Sequence, residues 1–473
     1  MKQRNKHKSA KESHSFAFSF LIGLGIVILG GNAGVFAEDL KILSLSDVVE
    51  AVLKTSPDLQ NADAKVAEAR GSENEAKAGD LPNLSAMSLM TRGNDPVYAF
   101  GSLLNQRSFT AQDFNLGALN YPGYVDNIDT ALQLSVPVFS GFQTQSMKQA
   151  GKLGFKLSQK EKEALAQNLR FEAVEAYLQI LLERQMLDEL SHRVQSSEKK
   201  ISDSKSLKDK GLILGSDFYA AQAIEGGLKA RLIQSRRMLE EARWQLMTLM
   251  GASDERWDLK GQLYPTVYII KDKDQLFEEA LIHRPELQGA RLGRSIAEVL
   301  HQKEKLSLLP QVQAFATLDS NTNGASPLAT DKMMGLAAQI PIADPSYFAR
   351  KSIAQAKVQE ASAEERSLQQ KIHSEIIETV EGYKGFAEAL PILTETLKHA
   401  QKALKLVGPL YREGRQSIVE ALRAEEGEMQ AQKALLEDSF GIHSGYARIL
   451  LSAGDLDATG IVKIERHLET GNK

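Results

Sequence analysis

The chain has 473 residues, a formal net charge of −4, 25% charged and 42% hydrophobic residues, and no cysteine. Without cysteine it can hold neither a disulfide nor a lipid-modified N-terminal cysteine, so any membrane attachment must come from the folded chain. Its acidic balance argues against nucleic acid as a partner.

Lys2, Arg4, Lys6, Lys8 and Lys11 precede an apolar run, Phe16–Leu29, and the small-residue pattern Val35-Phe36-Ala37. That order describes a secretory signal peptide over residues 1–37, cleaved after Ala37. The run is short and glycine-rich for a bilayer-spanning anchor. Cleavage takes away five basic residues and one acidic one, moving the formal charge from −4 to −8. No later hydrophobic run is long enough for a transmembrane helix, so a membrane crossing would have to be made by strands.

Leu45–Ala78 has helical spacing broken at Ser56-Pro57, where one helix should end and another begin. Leu81-Pro82 stops the second helix, and Asn83–Arg92 alternates weakly as a first strand. Gly93–Asp126, rich in Gly, Asn, Asp, Tyr and Phe, has no clear period and reads as a long loop. In Asn127–Phe139, Ile128, Thr130, Leu132, Leu134, Val136 and Val138 alternate with more polar residues, a two-faced strand. From Gln143 to about Ser204 the period becomes helical, without proline. Asp209-Lys210-Gly211 breaks this helix, and Ser216-Asp217 offers an N-cap for the next. There Phe218, Ala221, Leu228, Leu232, Ser235, Leu239, Ala242, Leu246 and Leu249 form a heptad seam, predicting an antiparallel coiled coil that ends at Gly251.

The same order is then written again. Val48–Gln60 lies over Leu276–Gln288, Leu81-Pro82 over Leu309-Pro310, Val136-Pro137-Val138 over Ile340-Pro341-Ile342, and Gly251 over Gly454. The chain divides into a first repeat, 38–251, an irregular connector, 252–273, a second repeat, 274–454, and a polar tail, 455–473. The second repeat has strands at about 311–319 and 332–342 and a long helix from about Ser346 past Leu406. A turn region follows at Gly408-Pro409 and Gly414, then a last helix over Ser417–Ser452. The first repeat differs mainly by an insertion between Leu84 and Pro137.

The fold class is therefore mainly α with β, with two-fold internal repetition. Four strands, each with an apolar face, suit an outer-membrane crossing but cannot close a barrel, and lipid does not tolerate open edges. Several copies must share one barrel; eight strands would be filled by their own side chains, whereas twelve leave a passage, which favours a trimer.

The duplicated helix–strand–strand–long-helix–helix unit, the Leu-Pro and Val-Pro-Val or Ile-Pro-Ile signals, and the turns at Gly211 and Gly414 resemble the TolC-like outer-membrane efflux channel family across the whole mature chain. The segment Phe100-Gly101-Ser102-Leu103-Leu104 is similar to members serving multidrug-type pumps. The resemblance implies a homotrimer with a twelve-stranded transmembrane β-barrel, a long antiparallel coiled-coil helical barrel in the periplasm, and an equatorial collar. It also implies passive export of small molecules, docked to a periplasmic adaptor (membrane fusion) protein and an inner-membrane pump of RND or ABC type, with outer-membrane lipid around the barrel. No cofactor and no enzymatic activity are expected.

In that family, polar links hold the periplasmic end closed and acidic residues line its narrowest ring. Tyr411–Arg423 resembles this tip in the second repeat and Gly211–Asp217 in the first, which by position makes Tyr411 and Asp217 linking residues and Glu420 a constriction acid. Gln416 stands where the family has a linking arginine and Arg423 where it has a second acid, implying a weaker latch and a less cation-selective ring. Polar residues at helix ends are also ordinary solvated caps. Pro82, Pro137, Pro310 and Pro341 are candidate swivels between strand and helix directions, or plain strand-end punctuation.

His192, His283, His373 and His443 show no metal-ligand spacing, and no nucleophile elbow or phosphate loop is present. Protein secretion and metal efflux use the same kind of channel and remain alternatives, as does a structural periplasmic coiled-coil protein.

Overall fold

A computed structural model of the protein describes residues 41–252, 257–325 and 329–470. The expected signal peptide, residues 1–37, lies outside the described residues.

β1 (Lys41–Leu43) leads into α1 (Leu45–Thr55), which opens on a Ser44–Asp47 capping box. α2 (Pro57–Ala78) follows at once, with Pro57 in its first turn and the Ser56 hydroxyl accepting from the Leu59 N–H. β2 (Asn83–Gly93) comes next. The stretch expected to be a loop is largely helical: α3 (Pro96–Asn105), a 3-10 turn at Ala111–Phe114, and α4 (Leu116–Asn120). The Asp95 carboxylate accepts from the N–H groups of Val97 and Tyr98, and Pro96 starts the helix, a local start signal that the aromatic and glycine-rich composition obscured.

β3 (Val125–Phe139) passes through the left-handed residues Gly141 (φ 59°) and Phe142 (φ 62°) into α5 (Gln143–Asp209). A Cβ at Gly141 would lie 3.2 Å from the carbonyl oxygens of Leu309 and Pro310, so this turn brings the first repeat against the second. α5 has 67 residues, about 100 Å at 1.5 Å per residue. α6 (Gly215–Met250) starts after Leu214 without a side-chain cap, which puts Ser216 and Asp217 inside its first turn instead of at the cap. The connector contains β4 (Trp257–Leu259), paired in parallel with β1.

The second repeat supplies α7 (Lys273–His283), α8 (Pro285–Lys305), β5 (Gln311–Thr322), β6 (Ala329–Gln339), α9 (Tyr347–Arg412) and α10 (Ile418–Ala453). Pro391 and Pro409 both lie inside α9, so the turn comes at Glu413-Gly414 and not at Gly408-Pro409. The tail is not a polar edge piece. It forms α11 (Ala458–Thr470), whose Ile461, Ile464 and Leu468 are buried at helical spacing among otherwise charged residues.

β2, β3, β5 and β6 form one antiparallel sheet in that order, joining both repeats through the β3–β5 pair. The helices pack in two tiers. Beside the sheet α2, α5, α8 and α9 lie side by side, and at the other end α6, α5, α10 and α9 do so. The coiled-coil seam of α6 buries Phe218, Ala221, Leu228, Ser235, Ala242 and Leu246. The main core lies where the tiers meet and α1, α7 and α11 add a further layer, burying Val48, Val52, Val174, Leu178, Leu181, Leu246, Ile376, Ile442 and Ile464 together. No described helix is long and apolar enough to cross a membrane.

Candidate channel wall and gate

Strand pairing sorts the sheet side chains into two faces. One carries Leu84, Ala86 and Met90 of β2, Ile128, Leu132, Leu134 and Val136 of β3, Ala316 and Leu318 of β5, and Met334 and Leu336 of β6. The other carries Ser85, Asn127, Asp129, Gln133, Gln313, Thr317, Asp319, Asn321 and Asp331, with Met87, Leu89, Phe315 and Met333 among them, and is the more polar of the two. Leu84, Met90, Met334 and Leu336 are 64%, 73%, 81% and 72% exposed, far too much apolar surface for water to cover without penalty. The apolar face suits hydrocarbon and the polar face an aqueous passage.

The prolines mark both ends of this wall. Pro82 and Pro310 immediately precede β2 and β5, Pro137 sits in β3 beside a register shift, and Pro341 follows the end of β6. β3 runs on past its proline because β5 pairs it on the far side, whereas β6 is an edge strand and stops sooner.

At the end of the helices away from the sheet, α5 and α6 make one hairpin and α9 and α10 the other. Ile201, Phe218, Ala221, Ile418 and Leu422 bury one another between them, with Tyr411 packed alongside. The Tyr411 hydroxyl lies 3.0 Å from Ser204 Oγ, and Asp217 is half-buried in the first turn of α6. Arg423 donates to Glu420 at 3.0 Å within α10, and both side chains are exposed. Gln416 is exposed, its backbone N–H bonded to the Leu410 carbonyl.

Just above, the hairpins are joined by ion pairs that sequence reading missed. Arg193 of α5 meets Glu428 of α10, Lys200 meets Glu425, and Arg231 of α6 reaches Glu426 at 2.5 Å. Glu425 and Glu428 are buried, and nothing in the neighbouring sequence marks either acid as paired, because each partner lies in the other repeat.

The connector is clamped at mid-height. Tyr177 of α5 donates to the Lys260 carbonyl at 2.5 Å and Arg184 to the Leu259 carbonyl at 2.8 Å. Tyr268 stacks on Tyr446 with ring centroids 4.0 Å apart, and its backbone N–H donates to the Tyr383 hydroxyl at 2.6 Å. His443, fully buried, lies with Nδ1 2.6 Å from the Tyr268 hydroxyl and Nε2 3.3 Å from the Tyr264 carbonyl. A neutral ring satisfies both contacts, donating from Nε2 and accepting at Nδ1, and burial pushes its pKa down to about 4.

A long helical assembly set on a sheet with one lipid-compatible and one water-compatible face is the architecture of a membrane channel whose barrel is shared among copies. Residues 48–252 and 276–449 match the family model for outer membrane efflux proteins, and the chain belongs to that family. It is an outer-membrane efflux channel component with a TolC-like fold, and channels of this family are trimeric and work with adaptors and pumps in tripartite systems.

The fold is similar to the CmeC outer membrane channel of Campylobacter jejuni, at 15% identity and a TM-score of 0.72, covering 91% of this chain and 90% of that one. VceC from Vibrio cholerae gives 17% identity and 0.72, covering 87% and 97%. The Neisseria gonorrhoeae MtrE outer membrane channel in its open state gives 16% and 0.71, covering 88% and 90%. No curated protein matches the sequence.

Proposed function

We propose that this chain is the passive exit duct for small molecules, drugs and toxic compounds among them, with its helical tiers in the periplasm docked to an adaptor and an inner-membrane pump. The observation that supports this most is the two-faced four-stranded sheet. With β2 and β6 as unpaired edges, three copies supply twelve strands, enough to close around an aqueous passage. The helices lengthen that passage away from the membrane.

In this reading the hairpin tips form the gate. Tyr411 and Ser204 couple the two hairpins of one protomer, and the buried pairs of Arg193 with Glu428 and Lys200 with Glu425 hold them in register. Asp217 and Gln416, near the tips and not bonded to Tyr411, are free to contact a neighbouring protomer. Glu420, neutralised by Arg423 on its own helix, gives a constriction with weak charge preference.

Reconstitution in planar bilayers, with deletion-strain susceptibility to dyes, detergents and antibiotics, tests the reading. A trimer that conducts, and a deletion strain sensitised to small toxic compounds, are the expected results. Recovery in the soluble periplasmic fraction without detergent, or lost protein secretion with unchanged susceptibility, would reject it.

A further inference from the structure

The insertion carried by the first repeat alone is anchored to the polar face of the sheet. The Tyr98 ring lies 3.0 Å from where a Cβ on Gly93 would stand, and its hydroxyl donates to the Thr91 carbonyl at 2.8 Å. At the C-terminal end of α3 the Gln106 amide donates to the Asp126 carbonyl at 2.7 Å and to Asn127 Oδ1 at 2.8 Å. Asn127 in turn donates to Asn321 Oδ1 at 2.8 Å. Gly93, Asn127 and Asn321 share the face that carries Asp129, Asp319 and Asp331. The insertion therefore folds over the passage and not towards lipid.

Arg107, the next residue, is left-handed with φ 54°, a conformation in which glycine would be at ease. Its side chain spans to the opposite edge of the sheet, where Nη2 donates to the Thr330 carbonyl at 3.1 Å and to Asp331 Oδ1 at 3.3 Å. Asp331 is the direct cross-strand partner of Asp319, and like charges so placed repel. Asp129 lies one row further towards the same end. The nearby Lys332 falls on the apolar face, so it does not offset them from the passage side.

We infer that Arg107 is a charge-selecting residue at the outer mouth: planted by α3 over Asp319 and Asp331, its guanidinium offsets their negative potential and sets how strongly the mouth favours cations over anions. This rests on the polar face lining the channel. The sequence holds no cysteine, so a single introduced thiol reports local potential directly. Met333 suits that purpose. It is 57% exposed and lies on the polar face of β6 beside Thr317, one row below Asp331.

The experiment measures, in intact cells expressing M333C, the modification rates of the thiol by a cationic trimethylammonium and an anionic sulfonate methanethiosulfonate reagent of similar size. Adding R107Q should raise the cation-to-anion rate ratio about fivefold, the effect of one fixed charge within about 8 Å of a wet site on probes of either sign. R107K should leave the ratio within about twofold of the parent, and D331N should lower it. A ratio unmoved by R107Q in an assembled trimer overturns the inference. Should R107Q fail to assemble, the D331N arm decides, and an unmoved ratio there overturns it equally. An M333C thiol reached by neither reagent from outside, yet reactive in detergent, would overturn the channel reading as well, which separates the two failures.

Discussion

Replacing His443 with glutamine should remove about 2.5 kcal/mol of each protomer's acid sensitivity between pH 7.5 and 4.5. In the folded protein the buried ring stays neutral down to about pH 4, against an ordinary value of 6.5. Below pH 6.5 the unfolded chain therefore takes up a proton that the folded chain refuses. The stability due to this group is complete above pH 6.5 and is lost as pH falls from 6.5 to 4. Between pH 7.5 and 4.5 the loss comes to about 2.5 kcal/mol per protomer. Glutamine can still donate to the Tyr264 carbonyl and accept from Tyr268, so H443Q should fold, losing about 1 to 2 kcal/mol of packing at neutral pH. Unfolding midpoints of the detergent-solubilised trimer at pH 7.5 and 4.5, for wild type and H443Q, test this. Carboxylates elsewhere titrate in both proteins and cancel in the double difference. An acid-induced drop of equal size in the two would refute the reasoning, because it would place the proton uptake outside the connector clamp.

Asp438, buried on α10 with Oδ2 unpartnered, is raised to about 6 by burial, so its contribution has the opposite sign: folding gains as pH falls through 6. D438N should raise the midpoint at pH 8 by the equivalent of about 1 to 2 kcal/mol and at pH 5 by about half as much, which thermal melts at the two pH values will show. At Gly454, where φ is 80° and a Cβ would lie 2.9 Å from the backbone of His283 and Arg284, G454A should cost about 2 to 4 kcal/mol, read as lower trimer yield and midpoint. The double substitution Y411F with S204A removes one neutral hydrogen bond, about 1 kcal/mol, and should raise single-channel open probability several-fold. E425Q leaves Lys200 without its carboxylate and should open the channel further, by about 2 kcal/mol, sensitising cells to a large hydrophilic antibiotic that the outer membrane otherwise excludes. Unchanged conductance in both would move the gate away from the tips.

The sequence made visible those parts of the fold that local chemistry dictates. The switch from period 2 to helical period around Gly141, the prolines before β2 and β5, and the seam of α6 needed only neighbouring residues to be read. α3 was hidden because its start signal, Asp95-Pro96, opens a stretch whose aromatic and glycine content resembles a loop. α11 was hidden because three buried apolar residues sat among enough charge to look like a solvated tail. The gate was less legible still. Tyr411 stood out, but its partner Ser204 lies in the other repeat, as do Arg193 and Lys200 relative to Glu428 and Glu425, and no local pattern announces a pair formed by folding. Ser216-Asp217 missed the cap because the helix began two residues earlier, with Leu214 at the cap.

The hairpin from β2 to β3 carries three short helical segments, while residues 323–328 alone join β5 to β6. Strand-to-strand bonding forces the two halves of the wall to stay near-equivalent, since either half must mate with the other around the ring. The caps at the rim carry no such obligation. A trimer thus presents its surroundings with a six-part staircase of near-identical hairpins crowned by only three embellished ones. The β2–β3 tip can therefore change in length and sequence without altering the strand pairing beneath it.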